Sequence, residues 1–374
     1  MIPFNKPGLV GTEGGYLEKA ILSGKLAGDG YYTKACHQFF QEKYGFRKVF
    51  LTTSCTDALE MSALLIDIKE GDEVIIPSYT FVSTANAFAL RGAKIVFAES
   101  NSDNPNIDTS KLEALINAKT KAIVLVHYAG IACNMGDILA LVKKYNLYLI
   151  EDAAQAIDSF YEGKPLGSFG HLAAFSFHET KNIVSGEGGM LVINDEAFVK
   201  KAEIIREKGT NRSAFFRGEV DKYNWVAVGS SFLPSELIAA FLFAQLEAME
   251  EIQQKRVAIW NKYYEGLKFL QDRGLIKLPS IPDYASNNGH MFYLVFDSLN
   301  HRSEFIKFLK DRDIQSVFHY LTLHNSPYFK SKHDGRKLSN AEMYQDCLVR
   351  LPFYNELSDT EIETVISSVI EFFD

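Results

Sequence analysis

The chain has 374 residues, 47% of them hydrophobic and 23% charged, with a net charge of −8. That length suits two domains, or one large α/β unit with a smaller companion, and the acidic balance argues against a nucleic-acid footprint. No apolar run reaches membrane-spanning length, and the nine histidines show no H-E-x-x-H spacing, so neither a membrane span nor a metal site is expected.

Residues 1–50 read as an N-terminal arm. Met1–Pro7 lacks a signal-peptide core, and Cys36, Cys55, Cys133 and Cys347 lack C-x-x-C spacing, so a reduced, cytoplasmic protein is expected. Gly24, Gly28 and Gly30 punctuate the arm before an aromatic-rich helix over 31–44 that stops at Gly45. A strand-like run, Val49-Phe50-Leu51, then turns through Thr52-Thr53-Ser54-Cys55-Thr56 into a helical period with Leu59, Ala63 and Ile66 on one face. Such a turn presents free backbone N–H groups at a positive helix end, which suits a phosphate. A plain Ser/Thr cap carries the same pattern.

From there strands and helices alternate. Strands are predicted at 73–76, 94–97, 122–126, 147–150, 172–177 and 190–193, and helices at 83–90, 109–117 (capped by Asp108) and 137–145. Short Val/Ile/Leu runs between helices predict parallel strands buried on both faces. Ligands of such sheets sit outside the carboxyl ends of the strands. Tyr79-Thr80-Phe81, Asp152 and Lys181 all fall at such ends. After about residue 230 the texture changes to one long amphipathic stretch over 235–270 and a linker-like turn, Leu278–Pro282. A strand at 291–296, a helix at 303–311, a strand at 314–318 and a helix at 360–372 then predict a small α+β domain.

Lys181 stands five residues after Ser176, just beyond the buried run 172–177. An amine that loses solvation there has a lowered pKa and becomes available for Schiff-base chemistry, although an ordinary surface lysine has the same surroundings in sequence. Asp152 can keep a pyridine nitrogen protonated, or serve as a cap or a structural ion pair. Phe81 can stack on a ring or pack in the core, and Ser176 can bind phosphate or satisfy local backbone. Gly186-Glu187-Gly188-Gly189 precedes a strand instead of leading from one into a helix, so it reads as a tight turn and not a dinucleotide loop. Together these residues offer a phosphate site, a ring face, a partner for the ring nitrogen and an amine, which are the needs of pyridoxal 5′-phosphate.

The stretches Ser54-Cys55-Thr56, Pro77–Asn86, Glu151-Asp152-Ala153-Ala154-Gln155 and Phe175–Asn182 resemble the DegT/StrS-type sugar-nucleotide aminotransferases, nearly end to end. The stretch Glu207-Lys208-Gly209-Thr210-Asn211-Arg212 resembles the subgroup that makes dTDP-4-amino-4,6-dideoxygalactose. The resemblance implies a fold-type I, pyridoxal-phosphate-dependent transferase. Residues 1–235 would form the arm and a large cofactor-binding domain with a mostly parallel sheet. Residues 236–374 would form a long helix and a small α+β domain.

The resemblance also implies roles. Lys181 would be the catalytic amine, Asp152 the partner of the ring nitrogen, Gln155 that of the ring hydroxyl oxygen, and Phe81 the stacking residue. Backbone amides of Cys55, Thr56 and Asp57, with Ser176, would hold the phosphate. Cys55 stands where most members have glycine, and Ser231 where many have an asparagine that reaches the neighbouring subunit's phosphate. Arg212, Tyr320 and His324 would bind substrate. L-Glutamate would be the donor and a dTDP-ketosugar the acceptor, in a homodimer with shared sites serving a surface polysaccharide such as enterobacterial common antigen or O-antigen. A gluco-configured C4 or a C3 aminotransferase, and a non-catalytic regulator on this fold, are the alternatives. Related dehydratases carry histidine where this chain has Lys181.

Overall fold

The computed structural model describes residues 1–374. Seven strands form the main sheet: β1 (Lys48–Thr52), β2 (Glu73–Pro77), β3 (Lys94–Ala98), β4 (Thr120–Val126), β5 (Tyr148–Asp152), β8 (Leu172–Ser176) and β9 (Gly189–Ile193). Between β5 and β8 lies a small hairpin, β6 (Phe160–Tyr161) and β7 (Lys164–Pro165). The sheet order is β1-β9-β8-β5-β4-β2-β3. Strands β3, β2, β4, β5 and β8 run parallel, whereas β9 is antiparallel to both β1 and β8. The sheet is mostly parallel, as expected, and the exception at β9 has a geometric reason. The Lys181 loop returns the chain beside β8, and a chain that turns straight back can only pair antiparallel.

The helices are α1 (Glu13–Leu22), α2 (Tyr31–Tyr44), α3 (Cys55–Leu65), α4 (Val82–Ala89), α5 (Met135–Tyr145), α6 (Val199–Arg206), α7 (Arg212–Phe216), α8 (Glu236–Glu247), α9 (Met249–Asp272), α10 (Leu299–Lys310), α11 (Ser339–Cys347) and α12 (Asp359–Glu371). The predicted helix at 109–117 is two short 3-10 turns, Thr109–Lys111 and Glu113–Leu115, with the Asp108 side chain accepting from Ser110 N–H. The predicted stretch 235–270 is two helices broken at Ala248. Their surroundings differ. Helix α8 buries Ala239, Ala240, Leu242 and Leu246 in one core with Phe40, Phe177 and Met190, against the main sheet. Helix α9 instead sends Trp260, Tyr263, Leu267 and Leu270 into the core beneath the second sheet, with Phe292, Phe305 and Val365.

That second sheet has three antiparallel strands in the order β10 (Tyr293–Val295), β12 (Leu348–Arg350), β11 (Val317–Phe318). Its other side belongs to the core around α3, α4 and β2, where Tyr293 packs edge-on against Tyr128 at 5.9 Å. The joined core holds the segment 319–324 over the carboxyl ends of the main strands. No helix is long and apolar enough to cross a membrane.

Candidate active site

At the carboxyl ends of β5 and β8 lies a cleft of about 340 Å³. Strand β8 is fully buried, and the chain leaves it through a turn in which Lys181 N–H donates to His178 O. Lys181 therefore enters the cleft from a backbone anchored at both ends, since the next residue, Asn182, is buried and bonded to Gln253, His290 and the Asn288 carbonyl. Burial pushes the Lys181 amine below its ordinary pKa; the thiol of Cys55 and the carboxyl of Asp152 oppose this, and Arg350 adds to it.

Asp152 ends β5 and is 5% exposed. Burial raises its pKa, against the hydrogen bonds from Thr84 Oγ1 (2.7 Å) and Ala154 N–H (3.2 Å) and the nearby Lys181 and His127. Its oxygens are thus occupied by neutral donors and not by an ion pair. Gln155 Oε1 accepts from Ala129 N–H at 2.6 Å, while its Nε2 donates to Tyr320 Oη at 3.1 Å.

The opposite wall is the start of α3. Ser54 caps the helix, its Oγ accepting from Asp57 N–H at 3.1 Å, and Ala58 N–H goes to Ser54 O. The N–H groups of Cys55 and Thr56 are left without backbone partners, at the positive end of the helix. Strand β9 begins against this turn: a Cβ on Gly189 would collide with the Ser54 carbonyl and Cys55 N. Only glycine permits that approach.

Of the residues singled out in sequence, Cys55, Thr56, Phe81, Asp152, Gln155, Ser176, Lys181 and Tyr320 line this one cleft. The others lie elsewhere. Asp57 turns its carboxyl to Thr53, and its N–H is taken by the Ser54 cap. Ser231 is exposed, bridged to Glu207. Arg212 opens α7 on the surface, 3.7 Å from Glu207 and with its guanidinium over Phe216. His324, expected to face substrate, is 2% exposed and bonded to Ser78 and Glu342 below the cleft.

Thr84, Ser83, His178 and Glu187 also line the cleft and received no role from the sequence. One signal was available for Thr84: it follows Thr80 by four residues just after a strand end, and their hydroxyls meet at 3.0 Å. A larger, open groove of about 900 Å³ beside α9 has Lys277, Asp103, Glu265 and Asp297 in its lining, but all four are exposed, unlike the buried acid of the cleft.

A buried amine and an acid that accepts no ion pair, beside an open helix N-terminus, fit pyridoxal phosphate: each group lacks the partner that the cofactor would supply. The fold and cleft thus define a pyridoxal-phosphate-dependent aminotransferase. Residues 10–370 match the DegT/DnrJ/EryC1/StrS aminotransferase family, and the chain belongs to it.

Relatives cover nearly its whole length. The spore coat polysaccharide biosynthesis protein SpsC of Bacillus subtilis is 33% identical, over 98% of this chain and 96% of its own. The aminotransferase TlmJ of Streptoalloteichus hindustanus superimposes with a TM-score of 0.92 at 28% identity, covering 100% of this chain and 99% of its own. Helicobacter pylori PseC, an aminotransferase involved in pseudoaminic acid biosynthesis, gives 0.90 at 26% identity, with 100% and 99% covered.

Proposed function

We propose that the enzyme transfers the amino group of L-glutamate to C4 of dTDP-4-dehydro-6-deoxy-D-glucose. The products are 2-oxoglutarate and dTDP-4-amino-4,6-dideoxy-D-galactose, the latter destined for a surface polysaccharide such as enterobacterial common antigen or O-antigen. The observation that carries the chemistry is the sharing of one cleft by Lys181 and Asp152, each driven by burial toward its neutral form. A sugar acceptor is supported by the likeness to SpsC, of spore coat polysaccharide biosynthesis, and to PseC, of pseudoaminic acid biosynthesis, and the finer substrate by the stretch Glu207–Arg212.

When bound, pyridoxal phosphate supplies an aldehyde that takes up amines and a ring that draws off electrons from the adjoining carbon. The N–H groups of Cys55 and Thr56, with the Ser176 hydroxyl, would hold its phosphate; Asp57 N–H, committed to the Ser54 cap, would be left out. Phe81 would cover the ring face, Gln155 would meet the ring hydroxyl oxygen, and Asp152 would pair with the ring nitrogen, whose positive charge would offset the burial that otherwise favours the neutral carboxyl.

Lys181 Nζ, poorly solvated and so held toward the free amine, takes the proton from the donor's α-carbon. In the second half-reaction it delivers a proton to C4 of the sugar, and its face of approach decides the configuration. The apolar strands behind the cleft keep water away from the reacting atoms. Tyr320 stands on the sugar side. Arg212 and the exposed aromatics Phe216, Tyr223 and Trp225 reach the nucleotide diphosphate across a homodimer interface, where Ser231 approaches the neighbouring phosphate.

The test is incubation with glutamate and the ketosugar nucleotide, followed by NMR of the product. A small H3–H4 coupling, diagnostic of an axial amine, is expected. A large coupling, or amination at C3, would overturn this substrate assignment.

A further inference from the structure

Tyr320 has a backbone φ of +43°, a left-handed conformation rarely adopted by a tyrosine. A strained residue persists only where its flanks are fixed, and here both are. On the N-terminal side, Tyr79 Oη donates to His319 O at 2.6 Å, Tyr128 Oη shares a 2.6 Å bond with His319 Nδ1, and the His319 ring stacks on Tyr320 at 3.6 Å. On the C-terminal side, Leu323 N–H donates to Ser78 O, and His324 Nδ1 shares a 2.6 Å hydrogen bond with Ser78 Oγ. The far nitrogen of that imidazole, Nε2, lies 3.1 Å from Glu342 Oε1.

Ser78 Oγ already accepts from His324 N–H at 3.4 Å. The Glu342 carboxylate accepts, which places the ring proton on Nε2 and leaves Nδ1 to accept from the Ser78 hydroxyl. Ser78 also directly precedes Tyr79-Thr80-Phe81, the segment leading to Thr84 and so to Asp152. One serine thus joins the arch carrying Tyr320 to the segment that orients the acid.

We propose that His324 is a positioning residue: clamped between Ser78 and Glu342, it holds the arch of residues 320–321 so that Tyr320 Oη stays on Gln155. Gln155 in turn keeps its amide fixed at the cleft wall. This inference rests on the reading that Gln155 meets the cofactor, and it does not depend on which sugar is the acceptor.

The test is a double-mutant cycle read as cofactor affinity, by titrating pyridoxal phosphate into stripped full-length protein and following fluorescence quenching. His324→Leu and Tyr320→Phe should each weaken binding about fivefold, the scale of one lost hydrogen bond, and the double variant no more than either alone. Ser78→Ala, which removes only the hydroxyl, should match His324→Leu and serves in its place if that variant does not fold. His324→Asn, whose amide can still meet Ser78, should restore affinity. Additive losses in the cycle, or an asparagine variant as weak as leucine, would overturn the positioning role. If neither Tyr320→Phe nor Gln155→Ala alters cofactor affinity, the reading of Gln155 falls, and this inference with it. An unexpected sugar product would touch only the substrate assignment.

Discussion

Thr84 Oγ1 donates a 2.7 Å hydrogen bond to Asp152 Oδ2, linking the first turn of α4 to the carboxyl end of β5. The bond favours the ionised carboxyl against the burial that raises its pKa. Thr84→Val keeps the shape and removes the donor. Cofactor affinity should fall about five- to tenfold, the effect of roughly 1–1.5 kcal/mol. Equal affinities for variant and parent would show that the threonine is not needed to hold the acid.

Asp152 itself makes the cofactor-free protein pH-sensitive. A carboxyl with a raised folded-state pKa costs stability once ionised: the penalty is absent below its ordinary value of 3.8, grows as pH rises toward the folded value, and stays constant above it. Asp152→Asn should therefore raise Tm of the stripped protein near neutral pH, with the gain vanishing in acid, while turnover with cofactor collapses. Calorimetry across pH checks the first part; a variant no more stable than its parent at neutral pH contradicts it.

The same reasoning runs the other way for Lys181. Burial lowers its pKa, so the penalty for its charge is present below the folded value and disappears as pH climbs past the ordinary 10.5. Lys181→Met should stabilise the stripped protein near neutral pH and lose that advantage in strong base. Lys181→Ala should abolish transamination by at least about a thousandfold, the loss of a covalent, proton-moving group. Borohydride should fix the cofactor to wild type, and mass spectrometry should find no such adduct on the alanine variant.

Gly189→Ala places a methyl group against the backbone of Ser54 and Cys55, which cannot step aside as a flexible side chain would. A cost of about 2–3 kcal/mol in urea unfolding is expected from overpacking, with weakened phosphate binding because the displaced part is the start of α3. A variant as stable as its parent and with unchanged affinity for inorganic phosphate would rule out the close approach.

Much of the cleft was legible because its parts lie at strand ends. The buried run before Lys181 and the one before Asp152 are continuous apolar segments, and such segments announce where a chain emerges from a sheet. The direction of β9 was not legible, since an apolar run says nothing about which way its neighbour points. Nor was the fate of His324: a histidine near Tyr320 reads as polar and available until Ser78 and Glu342, far away in sequence, close around it. The break at Ala248 was hidden for a related reason. Neither glycine nor proline marks the junction, and only the two cores show that α8 and most of α9 serve different sheets.

The sheet order carries a consequence for biosynthesis. Strand β1 pairs only with β9, and every residue of that pairing waits for a partner made long after it. A growing chain must carry β1 as an unsatisfied edge until the Lys181 loop and β9 leave the ribosome, a non-local closure of the kind that slows folding and exposes chains to aggregation. The strand that completes the sheet is also the one that seats Gly189 against Ser54, so the opening of a phosphate site and the sealing of that edge become a single late event. Fragments ending before β9 should be poor at both.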